Sequence, residues 1–280
     1  MDERDQAVPD EGDGPCDEWV VVGTGVVMAR LDWDIMMHRV LMMLLSQLDT
    51  HNSTQFQRQR VRARYIRDSA QVTQKSIHQE VARAADKLDG ATIGVWHPEK
   101  GEHEPLPVFS RCTYKSRRGV LEARFAHALR EHVQFLVDQD VRYPLRYGMR
   151  LSTPYAIRVY EISKMVVQEA AEAEWRIPVS LFRQMFKLEG KYQRHCDMRR
   201  RVIAPAVAEV SEKTDVRVTC SDVREGQTPV ALRWRVQSTD DRGSPAAPCR
   251  DVSGADEMAP SASRDSGRER TLHDRTGGGG

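Results

Sequence analysis

One order of elements occurs twice in this chain, and it limits the folds available more than any other feature. On either side of residue 145, helical periodicity runs through helices and a tight turn, then gives way to two strands that alternate about a polar turn. In the first half, Val20–Val22 and Val26–Val27 read as a short leading strand. Leu31 to Leu48 reads as a helix, with Leu41, Leu44, Leu45 and Leu48 at spacings of three and four. Residues 64–71 give a second, short helix. Thr73 is the expected N-cap of a third, Gln74 to Leu88. Its apolar face is Ile77, Val81, Ala84 and Leu88, and Lys75, Gln79, Arg83 and Asp86 point away. Thr92–Trp96 reads as a strand. Val108–Lys115 and Val120–Phe125 form a hairpin about Ser116, Arg117, Arg118 and Gly119, and a helix over 126–137 closes the half.

The second half starts at Thr153 as N-cap, with Pro154 in the first helical position, and its helix is expected to reach about Ala171. Trp175–Ile177 is a short strand, and Ser180 caps a short helix through Phe186. Leu188, Glu189 and Gly190 make the turn into a longer helix from about Tyr192. Val216–Val223 and Val230–Val236 alternate as strands about residues 224–228. A short helix, a turn containing glycine, a second helix and a hairpin predict a winged helix-turn-helix. The fold expected is therefore α+β, two tandem winged-helix domains, over residues 19–145 and 146–237.

The ends differ from this body. Residues 1–18 hold eight acids and one arginine, with Pro and Gly and no useful apolar spacing. Residues 238–280 hold seven Gly, three Pro and six Ser, with eight acids and six arginines. Neither end can bury enough surface to offset its ordering entropy, so both are expected to be disordered. The chain's net charge of +1 hides the consequence: residues 19–237 carry 35 basic and 25 acidic side chains, a net +10. A basic body between acidic ends suits a polyanion partner, although a well-solvated surface would have the same composition.

Other classes find little support. No run of about 18 apolar residues exists to span a membrane, and the acidic start argues against a secretory signal. Cys16, Cys112, Cys196, Cys220 and Cys249 are dispersed without a C-x-x-C pair, as expected for reduced thiols in the cytoplasm rather than disulfides or a zinc site. No phosphate-binding G-x-x-x-x-G-K-[ST] loop occurs, and Gly23-Thr24-Gly25 lacks the rest of a dinucleotide fingerprint. No paired histidines suit the metal of a nickase. His97, Glu102, His103 and Glu104 fall in a segment with Pro and Gly that reads as a loop, and His195-Cys196 has no partner for nucleophilic catalysis. No enzyme, cofactor or metal is expected.

The chemistry sits on basic helix faces. Lys191 to Arg201 carries five basic residues and one acid. At 100° per residue, Met198, Val202, Ala206 and Val210, with Ile203 and Val207, form its buried side. Arg194, Asp197 and Arg201 face away, Gln193 and Arg200 lie on the flank, and Arg199 turns toward the apolar side. Pro205 either kinks this helix or begins a new one. An exposed basic face after a helix-turn is what entry into a major groove requires: arginine offers two donors to guanine O6 and N7. Phosphate is met by Arg, Lys and helix N-termini. The DNA-binding candidates are Lys191, Gln193, Arg194, Arg200 and Arg201 in the second unit, and Lys75, Gln79 and Arg83 in the first. Arg117 and Arg118 at the first hairpin tip suit phosphate. Arg146 and Arg150 belong to a basic joint with Arg142 and Arg158 that either clamps a DNA backbone or pairs with acids between the halves.

Three segments also carry a family resemblance. Arg142 to Ile162 (RYPLRYGMRLSTPYAIRVYEI), Leu188 to Asp215 (LEGKYQRHCDMRRRVIAPAVAEVSEKTD) and Thr113 to Phe125 (TYKSRRGVLEARF) resemble the iteron-binding plasmid replication initiators, the initiator Rep protein superfamily. The resemblance spans roughly 25–237 and is specific over 110–236. It implies two winged-helix domains that bind repeated double-stranded origin DNA, promote origin opening and recruit a host initiator, the replicative helicase and chaperones. A homodimer acting on an inverted repeat is implied as well. Carried over by position, Arg194, Arg200 and Arg201 become base or phosphate contacts. His195-Cys196 departs from the aromatic and small residue expected there. Three other readings stand beside it: a winged-helix repressor with no role in replication, a DNA-processing nickase and a protein-interaction module.

Overall fold

The computed structural model describes residues 18–48, 58–72, 76–97, 99–133, 140–168 and 170–239. The expected disorder of the two ends lies outside these residues, apart from the stretch nearest the body. The first unit opens with β1 (Trp19–Gly23), one turn of helix α1 (Thr24–Val27) and α2 (Ile35–Ser46). Gly23 ends β1, so Val26 and Val27, expected on the leading strand, are instead buried on α1. Asp34 caps α2 by accepting the Met37 N–H at 3.0 Å. That cap starts α2 four residues after Leu31 and replaces the earlier start expected from hydrophobicity.

A strand that periodicity did not expose, β2 (Gln59–Arg62), precedes α3 (Ala63–Ser69) and α4 (Ile77–Leu88). Residues 73–75 lie outside the described residues, so the expected Thr73 cap is not seen. Ser76 holds the N-cap position of α4 without a side-chain cap bond. Next come β3 (Thr92–His97) and β4 (Glu102–Pro107), then β5 (Phe109–Lys115) and β6 (Val120–Phe125). The segment read as a loop at 97–104 is therefore part of a hairpin, with His97 opposite Glu102. Pro105 and Pro107 disguise β4, yet they fit because β4 has a neighbour on one side only. Within the expected helix over 126–137, the described residues form a 3₁₀ turn at His127–His132 and 134–137 lie outside them; β7 (Asp140–Pro144), which pairs with β1, and α5 (Leu145–Arg150) come next.

The second unit contains α6 (Pro154–Val167), β8 (Glu172–Pro178) and α7 (Val179–Met185). Its long helix is built from α8 (His195–Met198), a π-helical turn (Arg199–Ile203) and α9 (Ala204–Lys213), and the hairpin β9 (Val216–Glu225) and β10 (Thr228–Ser238) follows. Thr153 caps α6 as expected, accepting the Ala156 N–H at 3.0 Å. Gln168 takes a positive φ of 39° and stops α6 before Ala171. Pro178, not Ser180, occupies the N-cap of α7.

The two three-stranded sheets have the same topology. The strand order is β2-β6-β5 in one and β8-β10-β9 in the other. In each, a strand from between the helices closes the sheet against the last strand of the hairpin. Each unit is thus helix, strand, helix, helix, hairpin: two winged helices with mixed helix and strand content.

All described residues fall in one compact unit, and one buried core joins its elements. A buried polar network crosses between the halves. Arg158 on α6 donates to the Ala29 carbonyl at 2.9 Å and pairs with Glu161 at 2.9 Å. Tyr143 on β7 donates to the other Glu161 oxygen, also at 2.9 Å. Tyr160 and Lys164 both donate to Asp215, at 2.9 and 3.0 Å, and anchor α6 to the start of β9. Each buried charge is matched with a partner, as burial at low dielectric demands.

Candidate nucleic-acid interface

The second unit's candidate reading helix follows from two local conflicts in its sequence. Tyr192 has a φ of 49°, a left-handed conformation disfavoured for a side chain of its size. Arg183 on α7 holds that turn together. Its guanidinium donates to the carbonyls of Leu188 and Lys191, both at 3.2 Å, and of Tyr192 at 2.8 Å. The helix therefore starts at His195 rather than near Tyr192. The second conflict is Pro205, which has no N–H for the carbonyl four residues earlier and crowds it. The helix does not break there. It widens into the π turn at Arg199–Ile203, directly before Ala204.

Met198, Val202, Ile203, Ala206 and Val210 are buried, and Val207 is half-buried. Arg194, Arg200 and Arg201 are exposed, as is Gln193 just before the helix. Arg200 pairs with Asp197 at 3.0 Å, yet 72% of its side chain remains exposed and within reach of a ligand. Arg199 does lie toward the protein. It donates to Asp222 on β9 at 2.8 Å and to the Cys220 carbonyl at 3.0 Å. His195 reaches the same Asp222 oxygen at 2.9 Å. Burial pushes the Asp222 carboxyl up, but hydrogen bonds from His195 and Arg199 outweigh it and hold the group below its usual range. Asp222 thus ties this basic helix to its wing. Lys191 is exposed but paired with Asp32 at 3.2 Å, and that bond raises its pKa.

In the first unit Gln79 and Arg83 are exposed on α4, while Lys75 lies outside the described residues. The His78 ring of α4 contacts the Tyr114 hydroxyl of β5 and binds this helix to its own wing. Arg117 and Arg118 sit exposed in the turn between β5 and β6. That turn closes through Gly119 at a φ of 65°, where an added Cβ would lie 3.3 Å from the His78 ring.

The basic joint does not hold together as one surface. Arg158 is buried in the network described above, so burial removes it from any DNA backbone. Arg142 pairs with Asp140, and Arg146 is half-buried with its guanidinium 4.8 Å from the Tyr147 ring centroid. Arg150 is exposed at the end of α5.

The sequence reading missed Arg183 and Asp222, because both act on backbone or side chains brought near only by folding. It missed as well the arginines of β2, a strand too short for its alternation to stand out. Among the described residues no group of three or more His, Cys, Asp or Glu side chains is placed to hold a metal ion. Among the same residues no helix is long and apolar enough to cross a membrane.

Residues 19–164 match the family model described as "Initiator Replication protein, WH1", and residues 178–235 match "Initiator Rep protein, WH2". The fold is similar to that of the Pi initiator protein, solved in complex with iteron DNA. The TM-score is 0.70 at 17% identity, over 81% of this chain and 99% of that one. A structure of domains 2 and 3 of RctB matches at a TM-score of 0.41 and 9% identity, over 74% of this chain and 82% of that one.

Proposed function

The chain belongs to the initiator Rep protein family, and from that premise we propose that it is a plasmid replication initiator that binds repeated origin DNA through its two winged helices. One observation carries this reading. The second unit presents Arg194, Arg200 and Arg201 outward from a helix whose opposite side is core, while Asp222 holds the fourth arginine, Arg199, against the wing. Such a helix can enter a major groove, with arginine donors to guanine edges and to phosphate. In the first unit Gln79 and Arg83 on α4, with Arg117 and Arg118 at the wing tip, form the equivalent surface. Two readers in one chain suit contact with successive grooves, roughly 34 Å apart. The division into 19–145 and 146–237 is the proposed division of labour, one reading helix in each part.

We propose further that the protein performs no chemistry of its own. Binding energy from several copies and bending of the DNA open the origin. A host initiator, the replicative helicase and chaperones then act on the opened complex in the cytoplasm, and a homodimer serves an inverted repeat. The test is DNA binding by the purified full chain to the repeats flanking its own gene, titrated with salt. If about eight phosphates are neutralised, log affinity falls with log salt at a slope near −7. The triple variant Arg194→Ala/Arg200→Ala/Arg201→Ala is expected to lose the preference for the repeat. Equal binding by that variant would remove the second helix from the interface. Strand opening by the purified protein that required added nucleotide, or cleavage of the origin strand with magnesium, would refute the binding-only mechanism.

A further inference from the structure

The outer face of the first unit's sheet is strongly basic, and none of its side chains belongs to the proposed helix and wing-tip contacts. Strand register places Arg60 beside Glu122, Glu122 beside Thr113, and Arg111 beside Arg124. The alternate residues Val61, Leu121, Ala123 and Cys112 are buried on the side that faces the helices. Arg58, Arg60 and Arg62 of the β2 edge, Arg111 and Lys115 of β5, and Arg124 of β6 therefore share the opposite, solvent face. Among the described residues, six cations meet one acid there. Glu122 is paired with Arg58 at 2.9 Å and with Arg60 at 3.2 Å, so it is already committed. Among the described residues the buried Arg62 Nε has no hydrogen-bond partner. Same-face residues along a strand repeat every ~6.8 Å and strands lie ~4.8 Å apart, so the cations form a lattice and not a single point charge.

We propose that this face binds the phosphate backbone of duplex DNA flanking the repeat that the reading helices contact. The proposal rests on the chain being a duplex-binding initiator. Two features favour DNA as the occupant. The face carries an excess of five positive charges on arginine and lysine, the side chains that meet phosphate. It is also continuous with the proposed interface: Lys115 leads directly into the wing tip with Arg117 and Arg118, which joins β5 to β6. A backbone that passes the tip meets this face next, and following it carries the duplex away from a straight path.

The test uses the full chain and a duplex that it selects from a random-sequence pool, made with and without 20-base-pair flanks. Wild type is expected to show a salt slope steeper by about 2–3 on the flanked duplex, since each lost phosphate contact removes about 0.9 from the slope. The exposed variant Arg58→Gln/Arg111→Gln/Arg124→Gln is expected to erase that difference and shorten the hydroxyl-radical footprint on one side. Its affinity for the unflanked repeat should stay within twofold of wild type. Selective binding with the same slope difference in variant and wild type overturns the proposal and leaves the initiator reading standing. If removal of residues 1–17 raises wild-type affinity equally on both duplexes and leaves the variant unchanged, the occupant is the chain's own acidic N-terminus, and the proposal fails. If no duplex is selected at all, the proposal and the initiator reading fall together.

Discussion

Arg199 and Arg200 are adjacent in the chain and have opposite duties, one bound to Asp222 and one turned to solvent. Helical spacing alone separates them, which is why the sequence is informative at this scale. It is silent about Arg183, whose acceptors are carbonyls five to ten residues away in a turn that has no helical or strand period. Arg183→Met should cost about 2–3 kcal/mol, the range for hydrogen bonds made by a charged group, with DNA affinity falling at least tenfold as the reading helix loses its entry angle. Urea unfolding and a binding titration would check both. Arg183→Lys should not rescue, because an ammonium cannot span the same acceptors. His38 gives a pH prediction. Burial, with the Arg158 charge beside it, lowers its pKa from 6.5 to about 3, so the ring is neutral in the folded protein. Below 6.5 the unfolded chain takes up a proton that the folded chain refuses. This contribution to stability is complete above pH 6.5 and is lost as pH falls toward 3. Between pH 6.5 and 5 it amounts to about 2 kcal/mol. Denaturant unfolding at the two pH values should show the loss, and His38→Gln should flatten it.

At the scale of elements, long amphipathic helices and hairpins were legible because their periods extend over enough residues. α2, α4, α6 and both wings fall close to where periodicity puts them, with ends displaced by caps and positive-φ residues. β2 and β7 were not legible, because their four or five residues mix charged side chains with too few apolar ones for alternation to register, and prolines hide β4. The π turn was legible only as its cause. Pro205 announced a disturbance, but the choice between a kink and a widened turn depends on Val202 and Ile203 both being buried. Widening keeps both in the core and rotates Arg200 and Arg201 relative to a regular helix. Pro205→Ala restores an N–H and removes the crowding, so the helix should relax to regular geometry without loss of thermal stability. DNA affinity should nevertheless fall about tenfold as these arginines turn. Parallel melting and binding measurements would separate the two effects, and unchanged affinity would show that the turn does not aim them.

Across the whole molecule, the two reading helices can serve one DNA site only if the units keep a fixed relation, and the sequence did not reveal what fixes it. Arg158 reads as one more cation in a basic joint until the structure places it against the Val26 and Ala29 carbonyls of the first unit and Glu161 of its own helix. Tyr143 then ties Glu161 to β7, so both partners of the ion pair also hold the first unit. Surface pairs such as Arg30–Glu189 and Asp32–Lys191 span the same junction but are half exposed, which limits each to under ~1 kcal/mol. The buried network should therefore dominate. Glu161→Leu leaves Arg158 charged and unpaired and should cost about 3–5 kcal/mol. Arg158→Met/Glu161→Leu/Tyr143→Phe removes the ion pair and its tyrosine together and should cost much less, because neither charge of the pair is left unpartnered. Its effect belongs to specificity. With the polar register gone and only apolar packing at the junction, the triple variant should tolerate one or two base pairs inserted between the contacted halves of a site. Wild type should lose at least tenfold in affinity on the same insertion. Equal penalties in the two proteins would mean that apolar packing alone sets the spacing of the reading helices.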